Sequence, residues 1–299
     1  MRLSAVVPAT DRPAHLGRVV AAIAAADEPP DDVIVVDEPE LRGPAAARNA
    51  GAERAPGEVI VFVDADVVPR PDAFSRIRRA FEREPNLTAI FGSYDDAPEA
   101  PGVVSRFRNL LHHYVHQESA GGATTFWAGI GAVRRDAFFD VGGFDADRYR
   151  TASIEDIELG MRLAAAGARL ELDPDVQGTH LKRWTLASMV RTDLVGRGVP
   201  WVALLAREGA TPTGLNLGWR HRLSAATSIV IVTSLATRRP RQAAVGVAAL
   251  VALNAGFYKL LLQRRGPAEA AAGIALHTLH HLTGAAAVPL GLLEHARER

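Results

Sequence analysis

The sequence predicts an α/β fold, a mostly parallel sheet with flanking helices, followed by a C-terminal helical region suited to a membrane. Three observations carry this. Short apolar runs alternate with helical patterns as far as Tyr94, the order expected of a parallel sheet covered on both faces. Acids stand at the ends of those runs, at Asp37, Asp64 and Asp66, where open sheets of this kind bind ligands. Long uncharged stretches fill the last quarter of the chain.

Taken in order, "LSAVVPA" reads as a strand and "PAHLGRVVAAIAAA" as a helix with apolar residues on one face. "DVIVVDE" and "GPAAARNAGAERA" repeat the pair, as do "EVIVFVDAD" and "PDAFSRIRRAFERE"; "LTAIFGSY" is a further strand. "VVSRFRNLLHHYVHQ" has helical spacing, and "TTFWAGIGAVRRDAFFDVGGF" is rich in Gly and aromatics. "SIEDIELGMRLAAAG" predicts a helix with Ser153 as N-cap and Gly167 as its stop. "ARLELDPDVQGTHL" reads as two short strands around an Asp-Pro turn, and "WTLASMVRTDLVGRGVPWVALLA" as an amphipathic helix.

The 299 residues carry no formal net charge, but the charge is divided. From His221 onward nine Lys and Arg face three acids, giving +6, so the first 220 residues carry −6. A basic, apolar tail behind an acidic body points to a membrane as partner and not to nucleic acid. Leu223–Thr237 has 15 residues without a charge, Gln242–Tyr258 has 17, and Ala270–Leu293 has 24, interrupted by three His. The second and third reach the length needed for about 30 Å of hydrocarbon. A soluble Ala-rich bundle is the alternative, though bundle helices usually show a charged face. "MRLSAVVPAT" enters a strand-like run at once, so no signal peptide is expected. The absence of Cys excludes disulfides and thiolate metal sites.

Three constellations carry chemistry. In "VIVFVDADVVPRPDAF" two carboxylates, Asp64 and Asp66, follow an uncharged run. Hard oxygen ligands at a strand end suit a divalent cation and a diphosphate; two solvated loop acids are the plainer reading. In "IEDIELGMR", Glu155 and Asp156 open a helix, where negative charge is favoured. In "GTHLKRW", His180 ends a strand and offers a neutral imidazole to a metal. His112 and His116 fit a helix surface, and His277, His280 and His281 fit contacts within the last apolar helix.

"LSAVVPATDRPAHLGRVVAAI", "VIVVDE", "GPAAARNAGAERAPGEVIVFVDADVVPRPDAF", "AGIGAVRRDAFFDVGGFD" and "SIEDIELGMRLAAAG" resemble, in order, the motifs of the family 2 glycosyltransferases of the GT-A fold. That resemblance implies a Rossmann-like GT-A domain that transfers a sugar from a nucleotide diphosphate sugar (UDP- or GDP-linked) with inversion, using Mn2+ or Mg2+. By it, Pro8, Ala9, Thr10 and Asp37 line the nucleotide pocket and Arg48 lies near the phosphates. Asp64 meets the ribose or metal shell, Asp66 holds the metal, and Asp156 is the general base, with Glu155 holding the acceptor or orienting the loop. "THLKRW" is similar to the Gln-x-x-Arg-Trp motif of membrane-bound members, with His180 in place of Gln. This sets Arg183 toward the diphosphate and Trp184 toward the acceptor. The loop "DEPELRGPAAARN" is shorter than the family's.

The expected organisation is a catalytic domain over 1–183, an interfacial helix and linker over 184–220, and a membrane region with two or three spans over 221–299. The expected activity is transfer to a hydroxyl of a lipid or lipid-linked acceptor by an integral membrane protein whose catalytic domain faces the cytoplasm. The tilt toward a hydroxyl comes from the base: a phosphate monoester, with a second pKa near 6, is already ionised and needs none. A polyprenyl-phosphate glycosyltransferase, a cell-envelope polysaccharide synthase, and a non-catalytic nucleotide-sugar-binding scaffold are the alternatives.

Overall fold

The computed structural model describes residues 1–11, 13–38, 40–41, 43–209 and 218–298. They form two compact units, Met1–Glu99 with His116–Lys182, and Ala100–Val115 with Arg183–Arg299. The second unit thus takes in residues 100–115, which the sequence places in the catalytic domain.

The first unit begins with β1 (Leu3–Pro8), α1 (Leu16–Ala24), β2 (Asp32–Val36), α2 (Gly43–Arg54) and β3 (Val59–Val63). There follow β4 (Val67–Pro69), α3 (Ala73–Arg83), β5 (Leu87–Tyr94), β6 (Gly121–Ala123) and β7 (Ile130–Arg134). It ends with α5 (Arg135–Asp140), α6 (Glu155–Ala165) and β8 (Arg169–His180). Val59–Val63 is buried throughout, with β3 paired to β1 on one side and β7 on the other. Phe62 packs against Phe138 and Phe144, with ring centroids 5.5 and 5.1 Å away.

Among the described residues the strands form one sheet in the order β2-β1-β3-β7-β5-β8-β4, with β6 beside β8. β1 runs parallel to β2 and β3, with Ala5 opposite Val33 and Val61. β7 is antiparallel to β3 and β5, and β5 is parallel to β8. The sheet is therefore mixed where the alternating pattern suggested mostly parallel pairing. The Gly- and aromatic-rich segment supplies β7, and β4 and β6 also pair antiparallel, with β8. Because β7 reverses once between β3 and β5, the carboxyl ends of β1, β2, β3, β5 and β8 share one edge.

"ARLELDPDVQGTH" is one strand, β8, and not two. Its pairing with β5 steps from Phe91 opposite Leu172 to Ser93 opposite Gln177. The Asp-Pro turn is a bulge within the strand, tightened by the Asp175 N–H donating to Asp173 Oδ1 at 2.9 Å.

In the second unit, α4 (Val103–Glu118, through Val115) accompanies α7 (Leu186–Arg191), a π-helix (Thr192–Gly198) and α8 (Val199–Glu208). α9 (Trp219–Ala236), α10 (Pro240–Leu253) and α11 (Ala255–Arg297) complete it. Phe107, Leu110, Leu111, Trp184, Met189 and Phe257 form its core. Gly266 interrupts α11 with φ 80° immediately before Pro267, a conformation that glycine takes without steric cost. Among the described residues no single helix is long and apolar enough to cross a membrane. α10 and α11, bent by 84°, pass that test only as a pair. The uncharged stretch 242–258 is broken because Asn254 ends α10, its side chain donating to Ser224 Oγ and Leu250 O.

Candidate active site

The shared carboxyl edge gathers the acids. Asp64 follows β3, and its N–H donates to Gly129 O at 3.0 Å while its own carbonyl accepts from Val67 N. The Leu181 N–H donates to Asp66 O at 2.8 Å, and Val67 pairs with His180. The Asp64–Asp66 turn is thus pinned between the loop before β7 and the end of β8. Both carboxylates keep about a third of their surface in solvent, at 29% and 30%.

His180 Nε2 lies 3.6 Å from Asp66 Oδ2, close enough for Coulomb attraction when the ring is protonated and too far for a good hydrogen bond. The imidazole is stacked on Tyr94, with centroids 4.2 Å apart and planes 7° apart, and Tyr94 meets Trp127 edge-on at 5.0 Å. Burial pushes Asp66 upward, but His180 and Lys182 outweigh it and hold the carboxyl below its ordinary range. Asp64 goes the other way. Its burial, with Asp66 and Glu155 adding negative charge, outweighs the Arg48 guanidinium and raises it.

α6 supplies the second pair. Asp156 Oδ2 accepts from Ala128 N at 3.2 Å and Oδ1 from Ile157 N at 2.8 Å, so the carboxylate is held at the helix N-terminus. Helix and loop meet closely because residue 160 is glycine: a Cβ there would stand 2.1 Å from Phe126 N. Ser153 is not the N-cap. Ile154 takes that place without a side-chain bond, and the Ser153 N–H donates to Glu155 Oε2 at 2.8 Å.

Arg48, on α2, joins the two pairs. Its Nη2 donates to Asp64 Oδ1 at 2.7 Å and its Nη1 to Glu155 Oε1 at 2.9 Å. Neither Arg48 nor Glu155 exposes more than 5% of its side chain. Pro8 ends β1, and Ala9, Thr10 and Asp37 follow β1 and β2 on the same edge, with the Ala9 N–H donating to Val36 O at 2.7 Å. Ala9 is buried and Asp37 exposed. Arg183 and Trp184 belong to the second unit: Arg183 is exposed, while Trp184 is buried in that unit's core under Arg108, 5.1 Å from its ring. The sequence motifs do not single out Tyr94, Trp127 or the Ala128 N–H. The density of Gly and aromatics around Trp127 is the one signal available, and backbone donors leave none.

Asp64, Asp66 and His180 suit a hard divalent cation in oxygen and nitrogen donors. One buried guanidinium stands among four carboxylates, Asp64, Asp66, Glu155 and Asp156, so added positive charge is favoured there. Among the described residues no three His, Asp or Glu side chains already form a closed ligand set. An open set of one or two carboxylates is how Mg2+ is held when substrate phosphates and waters complete its shell.

Residues 18–142 match the family model described as glycosyl transferase family 2. A pre-mycofactocin glycosyltransferase of Mycobacterium tuberculosis is 31% identical over 166 residues, 53% of this chain and 34% of the relative. A poly-beta-1,6-N-acetyl-D-glucosamine synthase of Staphylococcus aureus is 27% identical over 149 residues, 48% of this chain and 35% of the relative. The chain thus spans about a third of the length of these curated relatives. A mannosyltransferase from Pyrobaculum calidifontis, solved with GDP-Man and Mn2+, superposes with a TM-score of 0.58 at 19% identity, covering 100% of this chain and 88% of that one. Over residues 18–142 the chain is thus similar to the family 2 glycosyl transferases, and its sheet, with the acids at the shared carboxyl edge, has a GT-A-like fold.

Proposed function

We propose that the protein transfers a sugar, with inversion, from a nucleotide diphosphate sugar to a hydroxyl of a lipid or lipid-linked acceptor at the cytoplasmic face of a membrane. The observation that carries the reading is the placement of two carboxylate pairs, Asp64/Asp66 and Glu155/Asp156, on one edge of the sheet with Arg48 between them. Asp66, Asp64 and His180 would hold Mn2+ or Mg2+, which as a Lewis acid stabilises a departing nucleoside diphosphate. The glycosyltransferase name of the Mycobacterium tuberculosis relative, and GDP-Man and Mn2+ in the Pyrobaculum calidifontis structure, agree with that donor and metal.

Pro8, Ala9, Thr10 and Asp37 would receive the nucleoside beyond β1 and β2. Asp156 would take the proton from the acceptor hydroxyl as it attacks, its carboxylate already aimed by Ala128 N and Ile157 N. A positioned base of this kind is worth about 10²–10⁴-fold in rate. Inversion then follows from a single displacement, with base and leaving group on opposite faces of the sugar.

The second unit supports the membrane reading. Its interior carries Ser224, Ser228, Asn254, His277 and His281, while Trp219, Leu235, Val245 and Leu293 are exposed. Polar side chains buried among the apolar core, with large apolar side chains turned outward, match helices that face lipid. Incubating the full-length protein with membranes and a panel of nucleotide sugars, and following nucleotide release with and without EDTA, tests the activity. Metal-dependent release with one donor class is expected; no release with any donor would sink the reading, and full release in EDTA would remove the metal.

A further inference from the structure

We infer that Arg48 is a positioning residue that holds Asp64 and, through Glu155, the start of α6 in one frame, and that Glu155 acts through this frame and not on the acceptor. The inference rests on the glycosyl-transfer reading above and assigns parts within it.

The geometry separates this role from phosphate binding. Arg48 Nη1 and Nη2 are engaged by Glu155 and Asp64, and its Nε is buried without a hydrogen-bond partner. The side chain is 5% exposed, so no donor face is turned to a diphosphate. α2 is itself anchored: Asn49 Nδ2 donates to Phe144 O at 2.8 Å and Asn49 Oδ1 accepts from Phe144 N at 2.9 Å. The Arg48 guanidinium lies 5.4 Å from the Phe144 ring. The residue after the fork in sequence and the ring beside it are therefore fixed.

Glu155 is likewise spoken for. Oε1 takes Arg48 and Oε2 takes the Ser153 N–H, and the carboxylate is 5% exposed. It has no free face for an acceptor. What it does is tie the first residue of α6 to α2, and Asp156 is the next residue. The rigid path runs from Asp64, on the leaving-group side, through the guanidinium to Glu155 and to the base. Arg suits this junction because its planar fork bonds two carboxylates in fixed directions, which an ammonium does not. An error of about 1 Å in such a frame costs on the order of 10²-fold in rate.

The test uses the full chain with Arg48→Met, Arg48→Lys, Glu155→Gln and the double variant Arg48→Met/Glu155→Gln. Unfolding midpoints and steady-state transfer are measured for each. Arg48→Met alone strands the buried Glu155 carboxylate, whereas the double variant removes that buried charge as well and leaves only the part-exposed Asp64 without its guanidinium. The double variant should therefore unfold nearer the wild type than Arg48→Met does. Its kcat should nevertheless stay about 10²-fold down, with the donor KM within a few-fold. Arg48→Lys, which keeps the charge and loses the fork, should recover midpoint more than kcat.

Wild-type kcat in the double variant would reduce Arg48 to a counter-ion for Glu155 and overturn the proposal. So would a donor KM raised tenfold or more at unchanged kcat in Arg48→Met, which is the mark of a phosphate ligand. If the wild-type chain is inert toward every donor while the midpoints remain non-additive, the glycosyl-transfer reading fails, and the positioning role with it; only the ion brace remains.

Discussion

At the scale of residues, the two carboxylate pairs have separable duties, and one substitution in each distinguishes them. Asp156→Asn is nearly isosteric and leaves Asp66 and His180 in place. It should keep metal-dependent binding of the nucleoside diphosphate near wild type, yet lower transfer to a hydroxyl acceptor by about 10²–10⁴-fold. Asp66→Asn should lose metal-dependent binding along with turnover, because it removes a carboxylate 3.6 Å from the His180 nitrogen. Calorimetry with the diphosphate and single-turnover transfer check both. Near-normal transfer by Asp156→Asn would remove it as the base and favour an acceptor that is already ionised, such as a polyprenyl phosphate. These acids were visible in the sequence because a carboxylate directly after a buried apolar strand is costly unless a cation or ligand offsets its charge. Arg48 was visible as a residue but not in its setting. Nothing local in "AAARNAGAE" says that its guanidinium is enclosed between Asp64 and Glu155, residues 16 and 107 positions away.

At the scale of elements, the alternation of apolar runs and helices foretells β1, β2, β3 and β5 but not the short β4, because each of those four strands needs a covered face and its helix supplies it. It did not foretell the direction of β7 or the continuity of β8. Both depend on pairing between distant segments: β7 inserts between β3 and β5, and the bulge at Asp173–Val176 absorbs the turn residues that read as a break. The approach of α6 to the 125–128 loop is the element-level contact on which the base depends. Gly160→Ala tests it. The added Cβ would fall 2.1 Å from Phe126 N and 2.3 Å from Thr125 C, both backbone atoms that have little room to give. Overpacking of this kind costs about 1–3 kcal/mol. The midpoint should drop accordingly, and kcat should fall further than diphosphate binding, because α6 moves away from Ala128 while Asp66 keeps its own anchor at Leu181. Equal losses in binding and kcat would mean that the helix does not position the base independently.

At the scale of the whole molecule, the question is how to test membrane attachment without destroying the fold. Cutting the chain near Gly209 would not do so. The second unit is discontinuous, and Phe107, Leu110 and Leu111 share a core with Phe257, Tyr258 and Leu261; truncation would strip that core from α4. Substitutions on the outer faces avoid this. Leu235 and Val245 are 60% and 70% exposed, so a Glu at either position displaces no packed neighbour. Arg238, Arg239 and Arg241 stand between them in sequence, and basic residues at a lipid surface contribute about 1 kcal/mol each with anionic lipid. The full-length chain should therefore float with anionic vesicles and resist extraction by high salt or carbonate. Leu235→Glu/Val245→Glu should keep its unfolding midpoint while partitioning more weakly. The sequence could show length and lack of charge in 221–299 but not the breaks at Asn254 and Gly266, which follow from side-chain contacts and backbone geometry. For that reason the expected binding is through exposed apolar faces and the bent α10–α11 pair, not through straight single spans. A full-length chain that remains in the soluble fraction without detergent, and does not float with vesicles of any charge, would overturn the membrane reading and with it the case for a lipid-linked acceptor.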